Sequence, residues 1–436
     1  MKFKFFIVIT FLFQFSVFSQ TEIYFFKDSN HSFTIDNIEK ANFQLLEKEI
    51  SDKYFDNYYW FKIPAIETNS KYIFRITQAK INSAEAYYNK ILIKKLNNER
   101  YLSYSFFRDH DTYIKINPSQ EGYIPVELNV EEESILKEKN QLLINGFYYG
   151  FTLLVILYNL FYYVLFKDNA FLYYALFLVN ISFGIFNMDG MLNFYNISPK
   201  ISNILLIANY IFLAYFSSKF AKSYLFLNQY FPKFKKYSYV IEFAVVVLGV
   251  LYLFQGEYLY LLLLNILIFT LFFTYWLFAV FMFKKNVYIK MIVFAYVIIL
   301  FSGIDFYVLK YWGVSIMNVN ATTIKIGAFF EMIILSIAVL YRMNTLKHEN
   351  NFMRSEIVNF SKQVNEHSVN TKEKNKPSLY DLSHREREIF DLLVLGKSNK
   401  EIADELNISI NTVKFHVKNI YEKLNIKSRK EVLNLT

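Results

Sequence analysis

The rhythm of hydrophobic and polar positions changes several times along the chain. MKFK opens it, an apolar run from Phe5 to Phe18 follows, and Ser19 and Gln20 close that run. A basic start and a short apolar stretch with small residues behind it predict a secretory signal peptide over residues 1–19, since a membrane span needs about 20 apolar residues. Residues 20–141 are polar sequence broken by short runs rich in β-branched and aromatic residues, beginning at Tyr58, Tyr72, Ile91, Tyr101, Thr112 and Tyr123. Turn residues between these runs predict an all-β sandwich, long enough to bury a core of its own. From Leu142 apolar residues dominate. Seven transmembrane spans are predicted, near 143–166, 170–187, 201–224, 238–254, 258–283, 288–309 and 322–342, so the bundle occupies residues 142–342. Basic residues mark alternate connections: Lys167; Lys222, Lys233, Lys235 and Lys236; Lys284 and Lys285; Arg342 and Lys347. Positive loops stay in the cytoplasm, which predicts a periplasmic β domain and a cytoplasmic C-terminus.

Beyond the last span, Met343, Leu346, Asn350, Met353, Ile357, Phe360, Val364 and His367 alternate at steps of three and four. That spacing predicts a coiled-coil-like helix extending about 37 Å at 1.5 Å per residue, with Asn350 favouring a parallel homodimer. The alternative is a lone helix lying on the membrane surface. A polar stretch ending at Pro377 completes this linker (343–377) as a flexible joint.

Residues 378–436 read differently again. Ser383, Ser398 and Ser428 are each followed three residues on by Glu386, Glu401 and Glu431, and Ser409 precedes a further helical pattern. Capping boxes at these serines predict helices over 384–395, 399–406, 410–424 and from 429, with Gly396 ending the first. The short turn between the second and third gives helix-turn-helix spacing within a four-helix, all-α domain. At 100° per residue, Val413, Val417, Ile420 and Leu424 form one stripe of the third helix. Asn411, Phe415 and Lys418 fall on the other side, with Lys414 at its shoulder. Lysine can donate to guanine, asparagine can pair with adenine and an aromatic ring can meet a thymine methyl, so this face suits the major groove. His416, between the two faces, is expected to pack or cap rather than bind metal, since no second ligand stands at metal-site spacing.

The words REREIFDLL, GKSNKEIADEL and NTVKFHVKNIYEKL resemble the LuxR-type (GerE-like) helix-turn-helix family. The resemblance implies that Lys414, Phe415 and Lys418 approach bases, that Asn411 and Thr412 help hold phosphates, and that two copies bind a near-palindromic operator in double-stranded DNA. Residue 415 varies in that family, so Phe415 implies a sequence preference of its own. The words FYYGFTLLVILYNLFYYVLFKDNAFLYYALF and KIGAFFEMIILSIAVLYRM resemble bacterial seven-transmembrane receptors with diverse intracellular signalling modules. That second resemblance implies a periplasmic jelly-roll-like domain similar to carbohydrate-binding modules.

Composition agrees with a chain that lives largely in lipid: 54% of residues are hydrophobic and 20% aromatic. With no cysteine, disulfides, thiol nucleophiles and zinc fingers are excluded. No nucleotide loop, nucleophile with its base or metal cluster is visible, so neither enzymatic activity nor a cofactor is expected. Among ionisable residues within the spans, Glu331 lies mid-span and is the candidate transmembrane switch, its alternative role being to fix helix packing; Glu242, Lys290, Asp305 and Lys325 lie close enough to span ends to snorkel. Tyr58, Trp60 and Tyr87 could stack on an extracytoplasmic ligand such as a carbohydrate, although strand alternation turns part of such runs into the core. These readings converge on a multi-pass inner-membrane, one-component transcriptional regulator. The competing reading is a transporter or carbohydrate-binding receptor whose C-terminal helices serve protein interaction.

Overall fold

The computed structural model describes residues 22–370 and 382–432, apart from 48, 53–56, 82, 119–121, 196, 313, 315, 317, 318 and 320. The signal peptide expected over 1–19 and the joint from 371 to 377 lie outside the described residues, as do the side chains of Val364 and His367. Two compact units make up the chain. The first joins the β domain to most of the bundle, through 228 and over 233–277 and 294–333; the second gathers 229–232, 278–293 and the chain from Ile334 onward.

In the first unit, eleven described strands form antiparallel sheets. The largest runs in the order β2 (Gln44–Leu45), β1 (Tyr24–Asp28), β4 (Tyr58–Ile63), β9 (Thr112–Asn117), β6 (Ser83–Tyr88), β7 (Ile91–Ile93). Facing it, β5 (Lys71–Ile76) lies between β11 (Val126–Val130) and β8 (Leu102–Phe107), and β10 (Tyr123–Ile124) pairs with β3 (Ile50–Ser51). The predicted runs at Tyr58, Tyr72, Ile91, Tyr101, Thr112 and Tyr123 are all strands. Strands β1 and β6, both interior to the large sheet, were not foreseen. Alternation along β4 sends Tyr59, Phe61 and Ile63 into the core between the sheets, where they meet Phe74, Ile76, Tyr104 and Ile114. Each fully buried Phe there contributes about 1.5–3 kcal/mol.

Strand β11 passes into the bundle without a loop. Helix α1 (Glu131–Phe166) starts directly after Val130 with three glutamates in its first turn, where the positive end of the helix dipole favours them. It therefore begins a dozen residues before the apolar span predicted from 143. Then come α2 (Asn169–Met188), capped by Asp168, and α3 (Pro199–Tyr224), capped by Ser198 with Pro199 in its first turn. A short α4 (Leu227–Tyr230) precedes α5 (Phe234–Gln255), α6 (Tyr258–Phe281) and α7 (Val287–Ile304), which runs into a π-helical turn over Asp305–Leu309. Last is α8 (Ala321–Asn370), 50 residues long, which joins the seventh span and the predicted cytoplasmic helix in one element. Seven of these helices are long and apolar enough to cross a membrane, as predicted.

Polar contacts fasten the sandwich to the bundle. The Arg100 guanidinium donates to both Glu138 carboxylate oxygens and to the Asp189 carbonyl, and the Asn193 amide donates to the Arg100 carbonyl. Gly190, at φ +71°, lies against that same carbonyl, and a Cβ there would stand 2.6 Å from it. Lys325 departs from expectation. Instead of snorkelling it is 2% exposed, and its ammonium donates to Asp189 Oδ1 at 2.9 Å and to Asn145 Oδ1. Asp305 is likewise buried, its Oδ1 accepting the Ile316 N–H at 2.9 Å. In both cases the fold places a polar partner nearer than the span's end.

Candidate nucleic-acid interface

Four helices form the C-terminal head: α9 (His384–Val394), α10 (Asn399–Glu405), α11 (Ile410–Leu424) and α12 (Arg429–Val432). Two capping boxes are complete. Ser383 Oγ accepts the Glu386 N–H while the Glu386 carboxylate accepts the Ser383 N–H, and Ser398 with Glu401 repeats the pattern. Those bonds from Ser398 hold the Glu401 carboxyl below its usual range. Ser409 Oγ accepts the Thr412 N–H at 3.1 Å, and Gly396 turns the chain after α9 at φ +78°. The third predicted box forms differently: Ser428 Oγ donates to Glu431, whose other oxygen accepts the Lys427 N–H.

With its start fixed by Ser409, α11 has a fixed orientation. Val413, Val417, Ile420 and Leu424 are all buried, packed with Ile389, Phe390, Leu393 and Ile402. Asn411, Lys414 and Lys418 are exposed on the outward face. Phe415 is half-buried, its ring 5.6 Å from that of His416. Thr412 turns inward, 3% exposed, with its hydroxyl 2.8 Å from that of Ser409, so in this head it serves the cap. Lys418 keeps one loose ion pair, 3.7 Å from Glu422, of the exposed kind that contributes less than about 1 kcal/mol. Its ammonium can therefore exchange that carboxylate for an acceptor on DNA. Lys414 and Lys418 line a shallow depression with Asn399, Tyr421 and Asn425. Asn399 comes from α10, so no helical wheel drawn on α11 could have shown it.

Beneath that face lies a buried polar cluster. Glu386, 1% exposed, pairs with Lys423, and the Lys423 ammonium also lies 5.2 Å from the Phe360 ring of α8. His416 is fully buried, neither ring nitrogen has a hydrogen-bond partner, and burial pushes the imidazole below its usual pKa. Chain folding brings Glu386 and Glu356 to His416, with candidate ligand atoms within 4.8 Å of one another. That grouping was invisible in the spacing of the residues, but the Lys423 ammonium already supplies its positive charge. The same unit holds the head through Ser383 Oγ donating to Glu356 at 3.3 Å and Lys285 pairing with Asp404 at 2.6 Å. Along α8, Met343, Leu346, Met353 and Phe360 of the predicted stripe are half-buried, whereas Asn350 and Ile357 are exposed.

The other predicted residues belong to the first unit. Glu331 is 1% exposed on α8, and its Oε1 has no hydrogen-bond partner. The aromatic platform is not laid open. Trp60 is 1% exposed beneath Ile38, Phe33 and Phe43, a segment that closes over the outer side of β4. Tyr87 stacks beside it at 6.2 Å, and Tyr58 stacks on His31 at 4.3 Å. Trp60 is thus core, and Tyr58 and Tyr87 are half-buried around it.

Comparison with known proteins places both halves. The family described as "Bacterial regulatory proteins, luxR family" matches residues 381–436, and "7TM diverse intracellular signalling" matches 141–342. The spore germination protein GerE of Bacillus subtilis is 48% identical over 62 residues, 14% of this chain and 84% of GerE. YhjB of Escherichia coli K12, named as an HTH-type transcriptional regulator, is 49% identical over 59 residues, 14% of this chain and 30% of YhjB. The regulator MalT of Vibrio cholerae is 37% identical over 91 residues, 20% of this chain and 10% of MalT. The chain thus spans under a third of the length of these last two relatives. No solved structure gives a significant match. With the capped helices, the inward apolar stripe and nearly the whole of GerE matched, the chain belongs to the luxR family of bacterial regulatory proteins, here carried behind seven apolar helices.

Proposed function

We propose that this protein is a membrane-bound, one-component transcriptional regulator whose head reads an operator through α11. The observation that carries the reading is the exposure of Asn411, Lys414 and Lys418 on one face of a helix whose opposite face is locked into the head's core. Lys414 and Lys418 approach base edges in the major groove, Phe415 contributes the edge of its half-buried ring, and Asn411 contacts the backbone or an adenine. Two heads of a homodimer engage a near-palindromic site with half-sites about 34 Å apart. Alternating basic loops favour a cytoplasmic head and a periplasmic sandwich, where a stimulus such as a carbohydrate would be met. The stimulus shifts the bundle and α8 between two arrangements, Glu331 being the candidate switch.

The test is selection of binding sites from random DNA by full-length protein in lipid nanodiscs, followed by the Lys418→Ala variant. Loss of Lys418 should cost about 1–3 kcal/mol and relax preference at one operator position. A uniform loss over all sequences would assign Lys418 to phosphate, and failure to enrich any sequence would overturn the reading.

A further inference from the structure

Among the described residues, one group of three side chains has the make-up of a metal site, and each of the three comes from a different helix of the second unit: Glu356 from α8, Glu386 from α9 and His416 from α11. Both carboxylates keep an oxygen in reserve. The Lys423 ammonium and the Ser383 N–H both reach Glu386 Oε2, and the Ser383 hydroxyl reaches Glu356 Oε2, which leaves Oε1 of each to a further partner. His416 is fully buried with neither ring nitrogen bonded, beside the rings of Phe352 at 6.2 Å and Phe415 at 5.6 Å. A buried imidazole with two unmet nitrogens is costly to keep, and an ion taking up a nitrogen lone pair is one physical reason for such a group.

Charge and distance agree with that reason. The single Lys423 ammonium answers Glu386, so of the two carboxylates the charge on Glu356 is left over. No open cavity is required, because zinc–ligand bonds are about 2.0–2.2 Å long and ligand atoms stand about 3.3 Å apart around the ion. The candidate atoms already lie within 4.8 Å of one another, and Glu356, half-exposed on α8, can close the difference by turning its side chain. One imidazole nitrogen with two carboxylate oxygens suits a borderline divalent ion better than calcium or magnesium, which take oxygen ligands. We propose that Glu356, Glu386 and His416 bind a divalent transition-metal ion, zinc foremost, with water in the fourth position.

Two consequences follow from where the ligands lie. An ion held by all three ties α11, the helix with the outward lysines, to the helix that continues the seventh span, so the supply of the ion sets how firmly the head is held. The Lys423 ammonium competes with the ion for Glu386. This site goes beyond operator reading, and its occupancy is measured without DNA, so the failure of either leaves the other standing.

The experiment uses full-length protein without a histidine tag in lipid nanodiscs, titrated with zinc against a chromophoric chelator, with empty nanodiscs as the control. Saturable binding of one zinc per chain is expected; since the chain has no cysteine, no thiolate site competes. Glu356→Gln keeps an acceptor for the Ser383 hydroxyl and should weaken binding at least tenfold, and His416→Gln should do the same. Lys423→Met should bind zinc at least threefold more tightly than the parent, an effect that a purely structural cluster does not give. Zinc should also slow hydrogen exchange of α11 amides in the parent and not in Glu356→Gln. Uptake no greater than in empty nanodiscs, or equal in the parent and Glu356→Gln, would overturn the site. Weaker binding by Lys423→Met would overturn the competition, and unchanged α11 exchange would overturn the tie to α8. Because Glu356 stands half-exposed outside the core of the head, its arm decides even where His416→Gln does not fold.

Discussion

Two buried polar clusters, one where the sandwich meets the bundle and one inside the head, treat charge differently. In the first, Asp189 is 1% exposed and accepts from the Lys325 ammonium and, at 2.6 Å, from the Tyr149 hydroxyl, while Asn145 takes a further ammonium proton. Every charge there meets two or more partners. In the head, Glu386 and Lys423 are paired, yet His416 beside them has neither nitrogen bonded. The bundle cluster keeps its charges by surrounding them with partners, whereas the head keeps His416 by leaving it neutral. Removing a partner should therefore be severe in the bundle, milder in the Glu386 pair, and dependent on pH at the histidine.

The largest effect is expected at Asp189. Asp189→Leu strands a buried ammonium and should cost about 3–5 kcal/mol. Adding Lys325→Met to it should recover most of that loss, because two apolar side chains need no partners. Thermal unfolding of the three proteins in nanodiscs decides the matter. A double variant as unstable as the single one would mean that the cluster shapes the sandwich–bundle joint rather than merely balancing charge.

A smaller loss is expected in the head. Lys423→Met leaves Glu386 buried, but its carboxylate keeps the Ser383 N–H, so the cost should be about 2 kcal/mol, within the usual penalty for one lost partner. Glu386→Gln retains the cap's acceptor and removes the charge, and should fall nearer the parent protein. If Glu386→Gln proved the worse of the two, the carboxylate's charge rather than its capping bond would be what the head requires.

This contrast also explains what the sequence disclosed. Ser383, Ser398 and Ser409 were legible as caps because each bond closes within three residues of its start, and the inward stripe of α11 follows from helix period alone. The pairing of Lys325 with Asp189 spans 136 positions, and nothing local marks it. Strand β6 was missed because SAEAYY has few of the residues that favour a pleated surface; its pairing with β9 supplies what propensity does not. Trp60 looked available for stacking because alternation predicts which side a residue takes, not whether a later segment covers that side. Lys414 and Lys418 were legible as an exposed face of α11 for the opposite reason: among the described residues nothing folds back over them.

The smallest effect, and the one that tests the neutral half of the comparison, is the pH response of His416. Its folded-state pKa lies below the ordinary value of about 6.5, chiefly because burial penalises the charged ring; Arg385 and Lys423 push the same way and Glu386 opposes them. Glu356 of α8 also faces the ring. The sign follows from proton binding. Above about pH 6.5 both folded and unfolded forms are neutral at this residue, so its contribution is fully present. As pH falls below that value the unfolded chain takes up a proton that the folded head refuses, and stability drops by at most about 1.4 kcal/mol per pH unit until the folded pKa is reached. Hydrogen exchange of α11 amides, corrected for intrinsic rates, should therefore show protection weakening from pH 7 to 5.5 in the parent protein. His416→Leu should flatten that trend. A variant that loses protection in parallel with the parent would mean that the response does not belong to His416, and that the head tolerates its unpartnered imidazole in either charge state.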